Sequence, residues 1–122
     1  MSIGQKNKLG KEVNYVLKVL GDDHILCIIA NLRDGGMRFN ELQRALEINP
    51  TTLTDRLTKL EEEGVVSKKK ETLDKLSVVY ELTKKGMGIL PIMKEFEKFA
   101  DKFPRRKNDV LAVYEKCRTS FD

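Results

Sequence analysis

The chain has 122 residues, a length that suits one domain burying about two-thirds of its unfolded surface, so extra apolar helices call for a partner subunit. It is 34% charged, with a net charge of +4 and a pI near 9.1, a balance that allows an anionic partner without demanding one. The longest apolar run, Ile25 to Ala30, is far too short to cross a bilayer, and the polar start MSIGQKNKLGK lacks the apolar run of a secretory signal.

Leu9, Val13, Val16, Leu17 and Leu20 fall at helical spacing and predict a first helix over 9–20, closed by Gly21. Asp22 or Asp23 can cap the next helix, Asp23 to about Arg33, which buries Ile25, Ile28, Ile29 and Leu32 before Asp34-Gly35-Gly36 ends it. After a short extended Met37-Arg38-Phe39, Asn40 and Gln43 have the spacing of a capping box at the start of a third helix, with Leu42 and Leu46 turned inward. Asn49 can cap a fourth helix, Pro50 fits its first turn, and Gly64 supplies a left-handed stop after Glu63.

Two strand-like runs follow. Val65 to about Lys70 begins apolar and becomes basic, while Leu76, Val78, Tyr80 and Leu82 alternate with Ser77, Val79 and Glu81. Between them Glu71 to Lys75 forms a hairpin tip. Thr83 can cap a long helical segment in which Ile89, Ile92, Met93, Phe96, Phe99, Ala100 and Phe103 repeat at three and four residues, with a kink expected at Pro91. Val110, Tyr114, Cys117 and Phe121 mark a last amphipathic helix. This order is that of a winged helix-turn-helix: mainly α with a small antiparallel sheet, a core over 23–83, and added helices over 9–20 and 84–122.

The helix over 50–63 carries the functional pattern. Leu53, Leu57 and Leu60 form one narrow inward stripe, while Thr51, Thr52, Asp55, Thr58 and Lys59 point away, with Arg56 on the flank. Threonines at 51, 52, 54 and 58 weaken helix propensity, but short hydroxyl side chains let a helix sit close in a groove and bond base edges or phosphates. The N-terminal turn, which reaches deepest in helix-turn-helix docking, has no acid before Asp55, and Glu61, Glu62 and Glu63 lie at the far end. The bland alternative is a core helix whose threonines happen to face water.

Lys68, Lys69 and Lys70 on one strand and Lys75 near the tip make the hairpin a basic wing over 68–76, and Arg38 adds a further phosphate candidate. The expected DNA contacts are thus Thr51, Thr52, Asp55 and Lys59 to base edges, and Arg38, Arg56, Lys69 and Lys75 to the backbone. Asp55 is the odd member: an acid near DNA must accept from cytosine or hold Arg56 or Lys59 in place.

Other chemistry finds little support. Cys27 and Cys117 form no CxxC pair; Cys27 reads as a small buried hydrophobe, Cys117 as packing, and a disulfide between them goes against the expected cytoplasmic setting. His24 and Cys27 supply two ligands, too few for a structural zinc site, so no metal and no cofactor is expected. No phosphate loop, nucleophile elbow or His-carboxylate cluster points to an enzyme.

The stretches RFNELQRAL, LTDRLTKLEEEGVV and VVYELTKKG, with GDDHILCIIANL upstream, resemble the HxlR-type winged-helix transcription regulators over roughly Lys11 to Phe103. The resemblance implies a homodimeric regulator of double-stranded DNA, with helix 50–63 as recognition helix. It also implies a dimer surface from Leu9, Val13, Leu17, Ile89, Ile92, Phe96, Phe99 and Phe103. The chain departs from the family pattern in three places. His24 stands where the first core helix usually has Trp, Lys11 stands where some relatives carry a sensing cysteine, and the proline-rich wing base is missing. The Phe96, Phe99 and Phe103 stripe leaves room for a small-molecule effector at the dimer seam. The rival reading is a winged-helix protein-interaction module that binds an acidic partner instead of DNA.

Overall fold

Burial centres on one short helix. Across residues 8–70 and 78–105, which the computed structural model describes, Ile25, Ile28 and Ile29 are completely buried. They sit on α2 (Asp23–Asn31), against which α1 (Lys11–Leu20), α3 (Phe39–Leu46), α4 (Pro50–Glu62) and α6 (Leu90–Lys102) pack, while β1 (Met37–Arg38), β2 (Val66–Lys70) and β3 (Val78–Leu82) form a sheet beside α3 and α4, and α5 (Lys84–Met87) packs on β3. This is the winged helix-turn-helix order read from the sequence. The expected wing tip, with Lys75 and Leu76, and the expected last helix from Val110 lie outside the described residues.

Local chemistry sets the ends of these helices. Asp22, not Asp23, caps α2 by accepting from the His24 N–H at 2.8 Å. Asn49 caps α4 by accepting from the Thr51 N–H at 2.7 Å, with Pro50 in the first turn. At the other end Gly64 takes φ +76°, its N–H bonds to Glu61 O at 3.0 Å, and the Val65 N–H reaches Leu60 O at 2.9 Å. That pair of bonds is the Schellman closure, in which a left-handed glycine satisfies the last carbonyls. Val65 and Leu60 are both buried in the core cluster.

The third helix begins differently from the expectation. Phe39 is already helical, and the Arg38 N–H, not that of Asn40, is taken up by Glu41 Oε1 at 2.8 Å. The capping box read at Asn40 and Gln43 is therefore shifted, because a charged acceptor at Glu41 serves the first turn better than a neutral amide.

The sheet has the order β1-β3-β2, antiparallel throughout. Val66 pairs with Leu82, Lys68 with Tyr80 and Lys70 with Val78, so the face that is buried at Val66 and Leu82 continues outward as Tyr80 beside the two lysines. Thr83 locks the base of the hairpin: its Oγ1 donates to Gly64 O at 2.5 Å and accepts from the Gly86 N–H at 3.1 Å. Gly86 has to be glycine, since a Cβ there would lie 2.3 Å from Val65 O.

Pro91 does not kink a long helix. The chain breaks earlier, between α5 and α6, and Pro91 sits in the first turn of α6, where its missing N–H has no intrahelical acceptor to lose. Ile89 moves with that break. It is 8% exposed and packs with Met93 into the core, so it is not available for the expected dimer surface. Among the described residues no helix is long and apolar enough to cross a membrane.

Candidate nucleic-acid interface

Three fully or almost fully buried leucines, Leu53, Leu57 and Leu60, anchor α4 to the core, leaving the opposite side to solvent. Thr51, Thr54, Asp55 and Thr58 are exposed along that side, while Thr52, Arg56 and Lys59 are half-buried on one flank. At 100° per residue Asp55 lies within about 15° of the line directly opposite the leucine stripe. Thr54 joins this face although the sequence reading left it out. Its position beside the leucine stripe on a helical wheel hides its exposure, which follows because none of the described elements covers that edge.

Arg56 is not held by Asp55. Its Nε donates to Asp22 Oδ2 at 2.9 Å, crossing from α4 to the capping residue of α2. Burial by itself would raise the Asp22 carboxyl, but the His24 N–H and the Arg56 charge outweigh it and hold the group below the usual carboxylate range. The pairing fixes the flank of α4 and commits one edge of the guanidinium, leaving the rest of the fork as a donor set. At its C-terminal end α4 is tied down twice more. Tyr15 of α1 donates to the Glu63 carboxylate, which raises the phenol above its ordinary value, and Lys85 Nζ donates to Glu63 O at 2.7 Å.

On the wing Lys68, Lys69 and Lys70 are all exposed. They do not share one face. Lys68 and Lys70 lie on the side of Tyr80, whereas Lys69 points the other way and lies 3.5 Å from Glu81 Oε1. Arg38 is exposed on the edge strand β1, opposite Val79. Lys75 lies outside the described residues.

A second surface is apolar. On α1, Val13, Val16 and Leu17 are 44–48% exposed, and Leu9 just before it is 53% exposed. On and beyond α6, Ile92, Phe96, Phe99 and Phe103 are 46–66% exposed, with the Phe99 and Phe103 rings 5.2 Å apart.

Asp22, Asp23 and His24 bring possible ligand atoms within 4.8 Å of one another. They belong to one helix start, however, and both Asp22 oxygens are occupied by His24 N–H and Arg56, so the cluster is a capping device. Cys27 is buried as expected at 7% exposure, but it is disulfide-bonded, which corrects the expectation of a free thiol; Cys117 lies outside the described residues.

Comparison with known proteins agrees with this architecture. YvaP of Bacillus subtilis, an uncharacterized HTH-type transcriptional regulator, is 34% identical over 67% of this chain and 77% of its own length. The reduced form of the transcriptional regulator YodB of B. subtilis superposes with a TM-score of 0.73 at 28% identity, over 80% of this chain and 96% of YodB. YodB has also been solved bound to a quinone, with a TM-score of 0.67 at 29% identity over 75% of this chain and 98% of YodB. The redox regulator HypR in its reduced form gives a TM-score of 0.66 at 30% identity, covering 85% of this chain and all of HypR. Residues 19–108 match the model of the HxlR-like helix-turn-helix, and the chain therefore belongs to that family of DNA-binding transcriptional regulators, which are not enzymes.

Proposed function

We propose that this regulator works in the cytoplasm as a homodimer that places α4 of each subunit in the major groove of a roughly palindromic operator and rests each wing on the flanking backbone. The single observation that carries this reading is the exposed face of α4. Four neighbouring side chains, Thr51, Thr54, Asp55 and Thr58, stand free on a helix whose other side is fixed by leucines and whose ends are capped. A helix held that rigidly, with short polar side chains outward, fits a groove.

In this arrangement Thr51, Thr52, Asp55 and Lys59 face base edges, and Arg38, Arg56, Lys69 and Lys75 reach phosphates. Exposed Lys68 and Lys70 support the electrostatic part of the reading. The unit over 23–83 acts as the DNA-reading core, with 9–20 and 84–122 as dimerisation helices. Leu9, Val13, Leu17, Ile92, Phe96, Phe99 and Phe103 supply an apolar seam that a lone subunit would leave in water. A small-molecule effector at that seam is the regulatory input this arrangement accommodates, and quinone-bound YodB is a relative that takes one.

Titrating the purified chain into labelled duplex DNA across a range of salt tests this. Saturable binding that weakens linearly on a log–log salt plot, by about 0.9 per phosphate contacted, supports the regulator. No duplex binding at low salt, together with retention of acidic proteins, supports an interaction module instead.

A further inference from the structure

We infer that Asp55 is a specificity-determining residue that accepts a hydrogen bond from the N4 amino group of cytosine, so that each operator half-site carries a C·G pair at one fixed position. The inference deepens the proposed docking of α4 and rests on it.

An acid at the centre of a DNA-facing surface needs a reason to be there. Asp55 is exposed and lies almost opposite the leucine stripe, in the second turn of α4, so in a docked helix it points at the groove floor rather than at the rim. Phosphates on both sides repel an ionised carboxylate, and only a compensating contact offsets that repulsion. Two intramolecular contacts could have supplied it, a clamp on Arg56 or an ion pair with Lys59. The structure uses neither. Arg56 gives its Nε to Asp22, and among the described residues no cation lies within ion-pairing distance of Asp55. The carboxylate therefore stands ready for an external donor.

The major groove offers two amino donors, N4 of cytosine and N6 of adenine. An ionised carboxylate can only accept. Beside adenine N6 lie the N7 acceptor on one side and O4 of the paired thymine on the other, so the second carboxylate oxygen meets a lone pair either way. Beside cytosine N4 lies the C5–H edge, where that oxygen meets none. Cytosine is thus the base an aspartate selects. The short side chain also needs close approach, which the hydroxyl-bearing neighbours Thr51, Thr54 and Thr58 allow.

Parallel selection from a random duplex pool with the wild-type chain, Asp55→Asn and Asp55→Ala tests the assignment, followed by anisotropy titrations of the enriched duplexes. Wild type should enrich a C·G pair at one position per half-site. Asn presents a donor and an acceptor together and should move that position to A·T, with a change in relative affinity of about tenfold. Ala should lose the preference at that position alone. Identical motifs from all three proteins, or a uniform rise in affinity without any change of base, would overturn the inference while leaving the regulator intact. No motif from wild type would overturn both. Wild type and both variants should melt alike, because among the described residues the exposed side chain makes no hydrogen bond or ion pair.

Discussion

Arg56 Nε lies 2.9 Å from Asp22 Oδ2, an ion pair that spans 34 positions of sequence and joins the flank of α4 to the capping residue of α2. The same carboxyl caps α2 through its other oxygen. One side chain therefore sets both the start of the central helix and the lateral position of the helix proposed to read DNA.

Two substitutions at Asp22 separate these roles. Asp22→Ala loses the cap and the pair and should cost about 1–2 kcal/mol in urea denaturation at neutral pH. Asn caps nearly as well as Asp, so Asp22→Asn should cost less than about 1 kcal/mol. The pH dependence has a definite sign. A carboxyl held below its unfolded-state value of about 3.9 contributes fully above that pH, and the contribution is lost as pH falls through the folded-state value. Wild type should lose this increment in acid and Asp22→Asn should not. Parallel stability profiles for the two would contradict the pairing.

Leu57→Ala removes a side chain that is 2% exposed beneath the proposed reading face. The expected loss is about 2–5 kcal/mol, read from the urea midpoint. A loss well under 1 kcal/mol would mean that α4 is not seated as described.

Lysines on the two faces of the wing should behave unequally. Lys68→Ala and Lys70→Ala together should lower the log–log salt slope of duplex binding by about 1.8, one phosphate each. Lys69→Ala should lower it less, since Glu81 already faces that amine. Equal slopes for wild type and the Lys68, Lys70 double variant would remove that face of the wing from the interface.

The apolar seam is tested by mass. Light scattering at micromolar concentration should report about twice the 14.0 kDa chain for wild type. Phe99→Asp, at a side chain 66% exposed in the single chain, should halve it without lowering the monomer's helix content. A wild-type mass of one chain would rule out the homodimer.

Much of this architecture is written in short-range signals. Asn49, Pro50 and Gly64 delimit α4 because caps and left-handed stops depend on residues only a few positions apart, and the Leu53, Leu57 and Leu60 stripe shows which side is buried. Non-local pairings were not legible. Nothing near Arg56 in sequence points to Asp22, and local reasoning offered Asp55 as its partner. Periodicity likewise shows that Ile89 is apolar-facing but not whether its neighbour is the core or another subunit. Proline suits a helix's first turn as well as a kink, so Pro91 alone could not locate the break between α5 and α6. Asn40 lost the cap position to Arg38 because Glu41, a stronger acceptor, lies within reach of the Arg38 N–H.

The central claim is that the exposed face of α4 reads base sequence. The most direct measurement compares affinity for a duplex selected from a random pool with affinity for a scrambled duplex of the same composition, at physiological salt. A preference of about a thousandfold or more, lost in a Thr51→Ala, Thr52→Ala, Asp55→Ala triple variant that remains folded, is the expected result. Equal affinity for both duplexes, or a preference that survives the triple substitution, would contradict it.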